Sequence, residues 1–136
     1  RGSYFVTNKA VKTAVQIHKG LRDKLELGNL DSSRDWGHSK DYVRGMHAII
    51  TNDEPKDYVI ATGDTRTVRD FCRYTFDKLG MNYEDYVTQN PKFMRPEELK
   101  FLKGDSTPIR EELGWEPEYT FESMLDEMIE FWMNNV

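Results

Sequence analysis

The sequence predicts a mixed α/β fold, because two hydrophobic periods alternate along it. Apolar stripes at helical spacing recur over residues 10–21, 42–50, 68–79 and 121–132. Between them lie short strand-like runs at residues 24–27 and 58–62. Turn-forming clusters separate the two kinds, at Gly28-Asn29, Asn52-Asp53-Glu54-Pro55 and Gly63-Asp64. Helices and short strands that mix in this way indicate the α/β or α+β class, and no internal repeat competes with that reading.

The residues up to Thr7 read as a loop entering a helix, with Thr7 or Asn8 as its cap. Ala10, Val11, Ala14, Val15, Ile17 and Leu21 form its apolar face, and Gly20 weakens its end. His18 falls on the side of Val11 and Val15 and is expected to be a core or edge residue, since no partner stands at a metal-ligand spacing. Lys9 lies in the first turn, where a cation opposes the helix dipole; it is a solvated lysine or a ligand contact. Lys24 to Leu27 alternates as a short strand, and Gly28 and Asn29 supply a turn.

Asp31 with two serines makes a loop, and Arg34 follows beside Asp35 and Trp36 in an extended piece. A guanidinium at such a strand-loop-helix junction presents a fixed fork of donors that suits phosphate oxygens. The helix after Gly37 places Tyr42, Val43, Met46, Ile49 and Ile50 on one side, with Gly45 permitting a close contact.

Tyr58 to Thr62 reads as a strand covered on both faces, because it lacks polar alternation until its end. Thr67 caps a helix with Val68, Phe71, Cys72, Phe76 and Leu79 inward. Cys72 sits in that stripe as a packing residue, with no base near it to make it a nucleophile. Residues 81–91 read as a loop anchored by Tyr83 and Tyr86. Arg95 precedes Pro96 and is biased to extended backbone, so that Arg95 and Glu98 project to one side. Gly104 to Pro108 opens a short helix ending near Leu113-Gly114, and Thr120 caps a last helix in which Phe121, Met124, Leu125, Met128, Phe131 and Trp132 form an apolar stripe for a core or an interface.

Composition narrows the function classes. With 38% hydrophobic and 32% charged residues the chain is a soluble globular type, long enough for one domain. The net charge of -5 and the scattered basic residues argue against a nucleic-acid partner. No apolar run reaches the roughly 20 residues of a membrane helix. A single cysteine precludes an internal disulfide and suits a reducing cytoplasm. The chain begins at Arg1 and opens directly on a motif, so a fragment is expected.

Six stretches, in order, resemble the GDP-mannose 4,6-dehydratases, which are extended short-chain dehydrogenase/reductases. Arg1-Gly2 with Phe5-Val6-Thr7 and Lys9 is similar to that family's R-G-x-x-F-V-T-R-K. Gly28-Asn29-Leu30-Asp31 with Arg34-Asp35-Trp36-Gly37-His38 is similar to its G-N-L-D-x-x-R-D-W-G-H. Ile60-Ala61-Thr62-Gly63 resembles its I-A-T-G, and Asn90-Pro91-Lys92-Phe93-Met94-Arg95-Pro96 with Glu98 its D-P-R-Y-x-R-P-x-E. Leu102, Gly104-Asp105 and Leu113-Gly114-Trp115 with Pro117 complete the order.

The resemblance implies the substrate-binding lobe, over residues 1–136, of an enzyme that converts GDP-mannose to GDP-4-keto-6-deoxymannose by an internal NADP redox cycle. It also implies that the segment at 58–62 and the helix before it complete a Rossmann sheet carried elsewhere. The family's Tyr-x-x-x-Lys pair and glycine-rich cofactor loop precede the position of Arg1, so no catalytic or metal-binding residue is expected here and the fragment alone should be inactive. Carried over residue by residue, Arg1 would touch the NADP phosphate, Val6 and Lys9 the guanine, and Gly28 and Asn29 the nucleotide's edge. Arg34 and Arg95 would grip the pyrophosphate and Glu98 the ribose. Asn8 and Ser3 depart from the family pattern near a loop used for subunit contacts, while a dimer or tetramer is still implied. Another extended nucleotide-sugar epimerase or dehydratase, and a non-catalytic nucleotide-sugar-binding domain, are the alternatives.

Overall fold

The structure is a computed structural model and describes residues 5–94 and 104–136. Helix α1 (Val6–His18) is followed by strand β1 (Leu25–Leu27), strand β2 (Ser33–Asp35), helix α2 (Ser39–Ile50), strand β3 (Thr65–Thr67) and helix α3 (Val68–Lys78). A single 3-10 turn at Tyr83–Asp85 leads to strand β4 (Val87–Gln89) and a second such turn at Pro91–Phe93. Helices α4 (Thr107–Leu113) and α5 (Phe121–Asn135) complete the described part. β1 and β4 pair in parallel, Leu25 opposite Val87, and β2 and β3 pair antiparallel, Arg34 opposite Arg66.

One apolar core joins α1, α3 and α5 to the β1–β4 pair. Val11, Ala14 and Val15 of α1, Phe71, Cys72 and Phe76 of α3, and Leu125 of α5 are all but inaccessible to solvent. Each of these helices carries its apolar residues three or four apart, so burying one stripe closes the core from three sides. Two of the helix starts are fixed by reciprocal caps. Thr67 accepts from the Asp70 amide while Asp70 accepts from the Thr67 amide, and Thr120 with Ser123 does the same for α5. Cys72 is fully buried, and burial pushes its thiol up to about 12, as a packing role requires.

Several expectations are corrected. The first helix begins at Val6, one residue before Thr7, with Phe5 in the cap position and no side-chain cap bond; Thr7 is instead buried. His18 is exposed at the helix end and takes no part in the core. Residues 58–62 form no strand among the described residues, and no described strand pairs with them. Their hydrogen bonds go elsewhere, the amides of Thr62 and Gly63 donating to the Asp35 carboxylate at 3.1 and 2.8 Å. β3 and β4 carry no sequence signal, because three residues are too few to show a period.

Helix α2 shows the largest difference. Of its apolar stripe, Val43, Met46 and Ile50 point outward at 61%, 53% and 80% exposure and Tyr42 and Ile49 are half-buried, while Asp41 and Gly45 form the buried side. Asp41, at 1% exposure, accepts from the amides of Glu118 and Tyr119 at 2.9 and 3.1 Å and from the Arg44 guanidinium at 3.0 Å. The Trp115 indole donates to the Asp41 carbonyl at 2.9 Å. Gly45 lets this face close: a Cβ there would stand 2.9 Å from the Ile60 side chain and 3.2 Å from the Trp115 indole nitrogen. Four polar bonds and one missing side chain, rather than hydrophobicity, decide which side of α2 faces in.

Candidate functional site

Two clefts are each lined by one residue of the first turn of α1, Val6 in one and Lys9 in the other. The larger, of about 490 Å³, is lined by Val6, Arg34, Asp35, Trp36, Tyr42, residues 59–61 and Gly104. The smaller, of about 210 Å³, is lined by Lys9, Thr13, Arg22, Lys24, Leu25, Glu26 and Phe93. Val6 and Lys9 are three residues apart on one helix, about 4.5 Å along its axis, and so face the same way.

The larger cleft is built around the β2 junction. Asp35 is spent on structure, because its carboxylate also accepts from the Thr62 hydroxyl at 2.6 Å and ties the far wall down. Trp36 is anchored from behind by the rings of Phe71 and Phe121, at 5.1 and 6.3 Å between centroids. Arg34 donates to the Ser33 carbonyl at 2.7 Å and stands at the cleft wall. Opposite it in the ladder, Arg66 is held by Asp64 at 2.9 Å and Glu122 at 3.2 Å. Of these two facing arginines, Arg34 lines the cleft and Arg66 does not.

The smaller cleft depends on Gly28. A Cβ there would collide with the carbonyl oxygen of Phe93 and lie 2.9 Å from its carbonyl carbon. Backbone cannot yield as a side-chain tip can, so the 91–93 turn packs on β1 only because residue 28 is glycine. The chain bends at Gly28 as a turn there requires, but its φ is not positive, and close approach to Phe93 is what demands a glycine. Asn29 accepts from the Asp31 amide at 2.9 Å, so its side chain holds its own turn. Asn90 fastens the same corner, its amide to the Leu27 carbonyl at 2.7 Å and its side chain to Glu26 at 3.0 Å. The ring of Phe93 lies 3.8 Å from the Lys9 ammonium. Burial holds the Lys9 ammonium below the ordinary lysine range, with the Glu26 carboxylate opposing the shift.

Of the residues singled out from sequence, Val6 and Arg34 line one cleft and Lys9 lines the other, while Gly28 packs against the backbone of Phe93. Arg1, Arg95 and Glu98 lie outside the described residues. Trp36, Tyr42 and Phe93 were quoted within motifs but given no role. A third cleft, of about 760 Å³, runs along Thr62, Gly63, Gly104 to Thr107 and Arg110. Its cation is already engaged, since Arg110 donates to the Thr62 carbonyl at 2.6 Å and the Ser106 hydroxyl at 3.0 Å.

The Tyr-x-x-x-Lys spacing does occur once, at Tyr74 and Lys78 of α3. Burial and a 2.7 Å bond to Asp126 push the Tyr74 phenol up to about 12. A tyrosine meant to take or give protons near neutrality must be shifted the other way, so this pair is structural. Among the described residues no cluster of His, Cys, Asp or Glu could hold a metal ion, and no helix is long and apolar enough to cross a membrane.

A family model described as GDP-mannose 4,6 dehydratase matches residues 1–128. GDP-mannose 4,6 dehydratase 2 of Arabidopsis thaliana is 42% identical over 130 residues, which are 96% of this chain and 35% of that protein. The human GDP-mannose 4,6 dehydratase is 38% identical over 146 residues, covering 95% of this chain and 39% of the relative. The chain thus spans well under half the length of these relatives. Among solved structures, RMD from Pseudomonas aeruginosa complexed with NADPH superposes with a TM-score of 0.89 at 22% identity, over 100% of this chain and 45% of that one. A dTDP-glucose 4,6-dehydratase from Bacillus anthracis in complex with NAD superposes at 0.83 and 20% identity, over 99% and 41% of the two chains. These superpositions show the fold: that of extended short-chain dehydratases and epimerases.

Proposed function

The chain belongs to the GDP-mannose 4,6-dehydratase family, and from that premise we propose that residues 1–136 form a sugar-nucleotide-binding domain for GDP-mannose. The observation that carries this reading is a pair of clefts, each lined by one residue of the same helical turn, with Arg34 in one and Lys9 in the other. GDP has matching parts: an anionic diphosphate for a guanidinium fork and a guanine rich in acceptors for an ammonium. Val6 and Trp36 supply apolar wall, and Gly28 with Asn29 offers backbone at the edge. Arg95 and Glu98, which the family pattern pairs with Arg34 on the pyrophosphate and with the ribose, complete the proposed set.

In this reading the intact protein is a hydro-lyase that converts GDP-mannose to GDP-4-keto-6-deoxymannose. NADP supplies the hydride chemistry, accepting hydride from C4 of the sugar and returning it to C6. No glycine-rich dinucleotide loop occurs in the sequence, and Arg1 is the one position matched to NADP. The described residues therefore do not form a cradle for the cofactor, and no step is assigned to them beyond binding and orienting the nucleotide sugar. A homo-oligomer in a reducing cytoplasm, without nucleic-acid or membrane partners, belongs to the same proposal.

Calorimetry of the full chain with GDP and with UDP tests it. GDP should bind at least tenfold more tightly than UDP, and Arg34→Ala should weaken GDP by more than tenfold, as loss of a charge-assisted contact implies. Equal affinities would favour another nucleotide-sugar enzyme of the same fold. An affinity indifferent to Arg34 would remove that residue from the site.

A further inference from the structure

We propose that Phe93 is a positioning residue for nucleobase recognition: its ring holds the Lys9 ammonium at the small cleft, aimed at a base that carries an acceptor oxygen. The inference rests on the nucleotide reading above and goes beyond it by naming what makes the site discriminate. Lys9 lies over the ring at 3.8 Å to the centroid, within the range of a cation–π contact. Lys92 approaches the same ring at 5.2 Å and is the weaker claimant. Glu26, the carboxylate in the cleft, is engaged by Lys24 at 2.9 Å and by Asn90 at 3.0 Å. Among the described residues no carboxylate closes on the Lys9 ammonium, and the ring is its neighbour instead.

That difference has a chemical consequence. A carboxylate would satisfy the ammonium's N–H donors, whereas an aromatic face attracts the charge and leaves donors for a ligand. The ring is itself fixed, because the turn carrying it packs its backbone on Gly28 and its Asn90 on β1. An ammonium so held rewards an acceptor such as the guanine O6. Adenine offers an amino donor at the position of O6, and the two donors would oppose each other.

The test uses the full chain, three nucleotides and three variants, read by calorimetry. GDP and IDP carry the oxygen; ADP carries the amine. The unaltered chain should prefer GDP and IDP to ADP. Phe93→Leu, which keeps apolar bulk and loses the ring, should weaken GDP and IDP about tenfold and leave ADP within about twofold. Phe93→Tyr should restore the preference, and the ring-current shift on the Lys9 ε protons should be present with Phe or Tyr and lost with Leu. If Lys9→Met abolishes the preference but Phe93→Leu does not, the role given to Phe93 is overturned while the nucleotide site stands. If neither substitution changes it, or none of the three nucleotides binds, both are overturned.

Discussion

The core formed by α1, α3 and α5 and the region of α2 are stabilised by different physics. In the first, hydrophobic stripes face inward and polar groups serve as caps. In the second, a buried carboxylate and a glycine face inward while Val43, Met46 and Ile50 meet solvent. Val59, on the neighbouring run, is 52% exposed as well. The comparison shows that an amphipathic pattern establishes that a helix has two sides but not which side its own domain covers. Where polar bonds fix the orientation, the apolar side is left for something else to cover.

Substitutions can separate the two regimes. The largest effect belongs in the core: Phe76→Ala should cost about 3–5 kcal/mol, read as a lower midpoint in urea, and a loss below 1 kcal/mol would mean that the core is looser than its burial implies. Next comes Asp41→Ala, which strands the Glu118 and Tyr119 amides and should cost about 2 kcal/mol. That cost should depend on pH. Burial by itself would raise the Asp41 carboxyl, but the Glu118 amide, the Arg44 guanidinium and the Tyr119 amide outweigh it and hold it below its ordinary range. A carboxyl lowered on folding contributes stability that is fully present above its unfolded pKa of about 3.9. The contribution is lost as pH falls through the folded value, so wild type and Asp41→Ala should converge in acid; a constant gap would show that the contribution is not that of the carboxylate's charge.

The smallest effect on stability should come from the outward face of α2. Met46→Lys should leave the urea midpoint within about 0.5 kcal/mol and yet reduce self-association in light scattering. A strictly monomeric unaltered chain would show that copies of the chain do not cover this face.

The same contrast explains what the sequence could reveal. α3 and α5 were legible to within a residue or two, because Thr67 and Thr120 mark starts and long stripes follow. The apolar run at 58–62 misled, since its hydrophobicity says nothing about whether a partner strand is present. The inward side of α2 was hidden because Asp41 is bonded to amides more than seventy positions away. At the candidate site, Arg34 was legible as a guanidinium at a strand-loop-helix junction and Lys9 as a cation in a helix's first turn, the resemblance gave each its nucleotide role, and each lines a cleft. Phe93 was visible as a letter in a motif, but its contact with Lys9 needs the 91–93 turn laid on Gly28, which no spacing rule encodes.

A structure determined with GDP-mannose bound to the full chain would test the central claim most directly. The account predicts the diphosphate within hydrogen-bonding distance of the Arg34 guanidinium and the guanine at Lys9, spanning the first turn of α1. A nucleotide seated away from both, or with its base at Arg34 and its phosphates at Lys9, would contradict it.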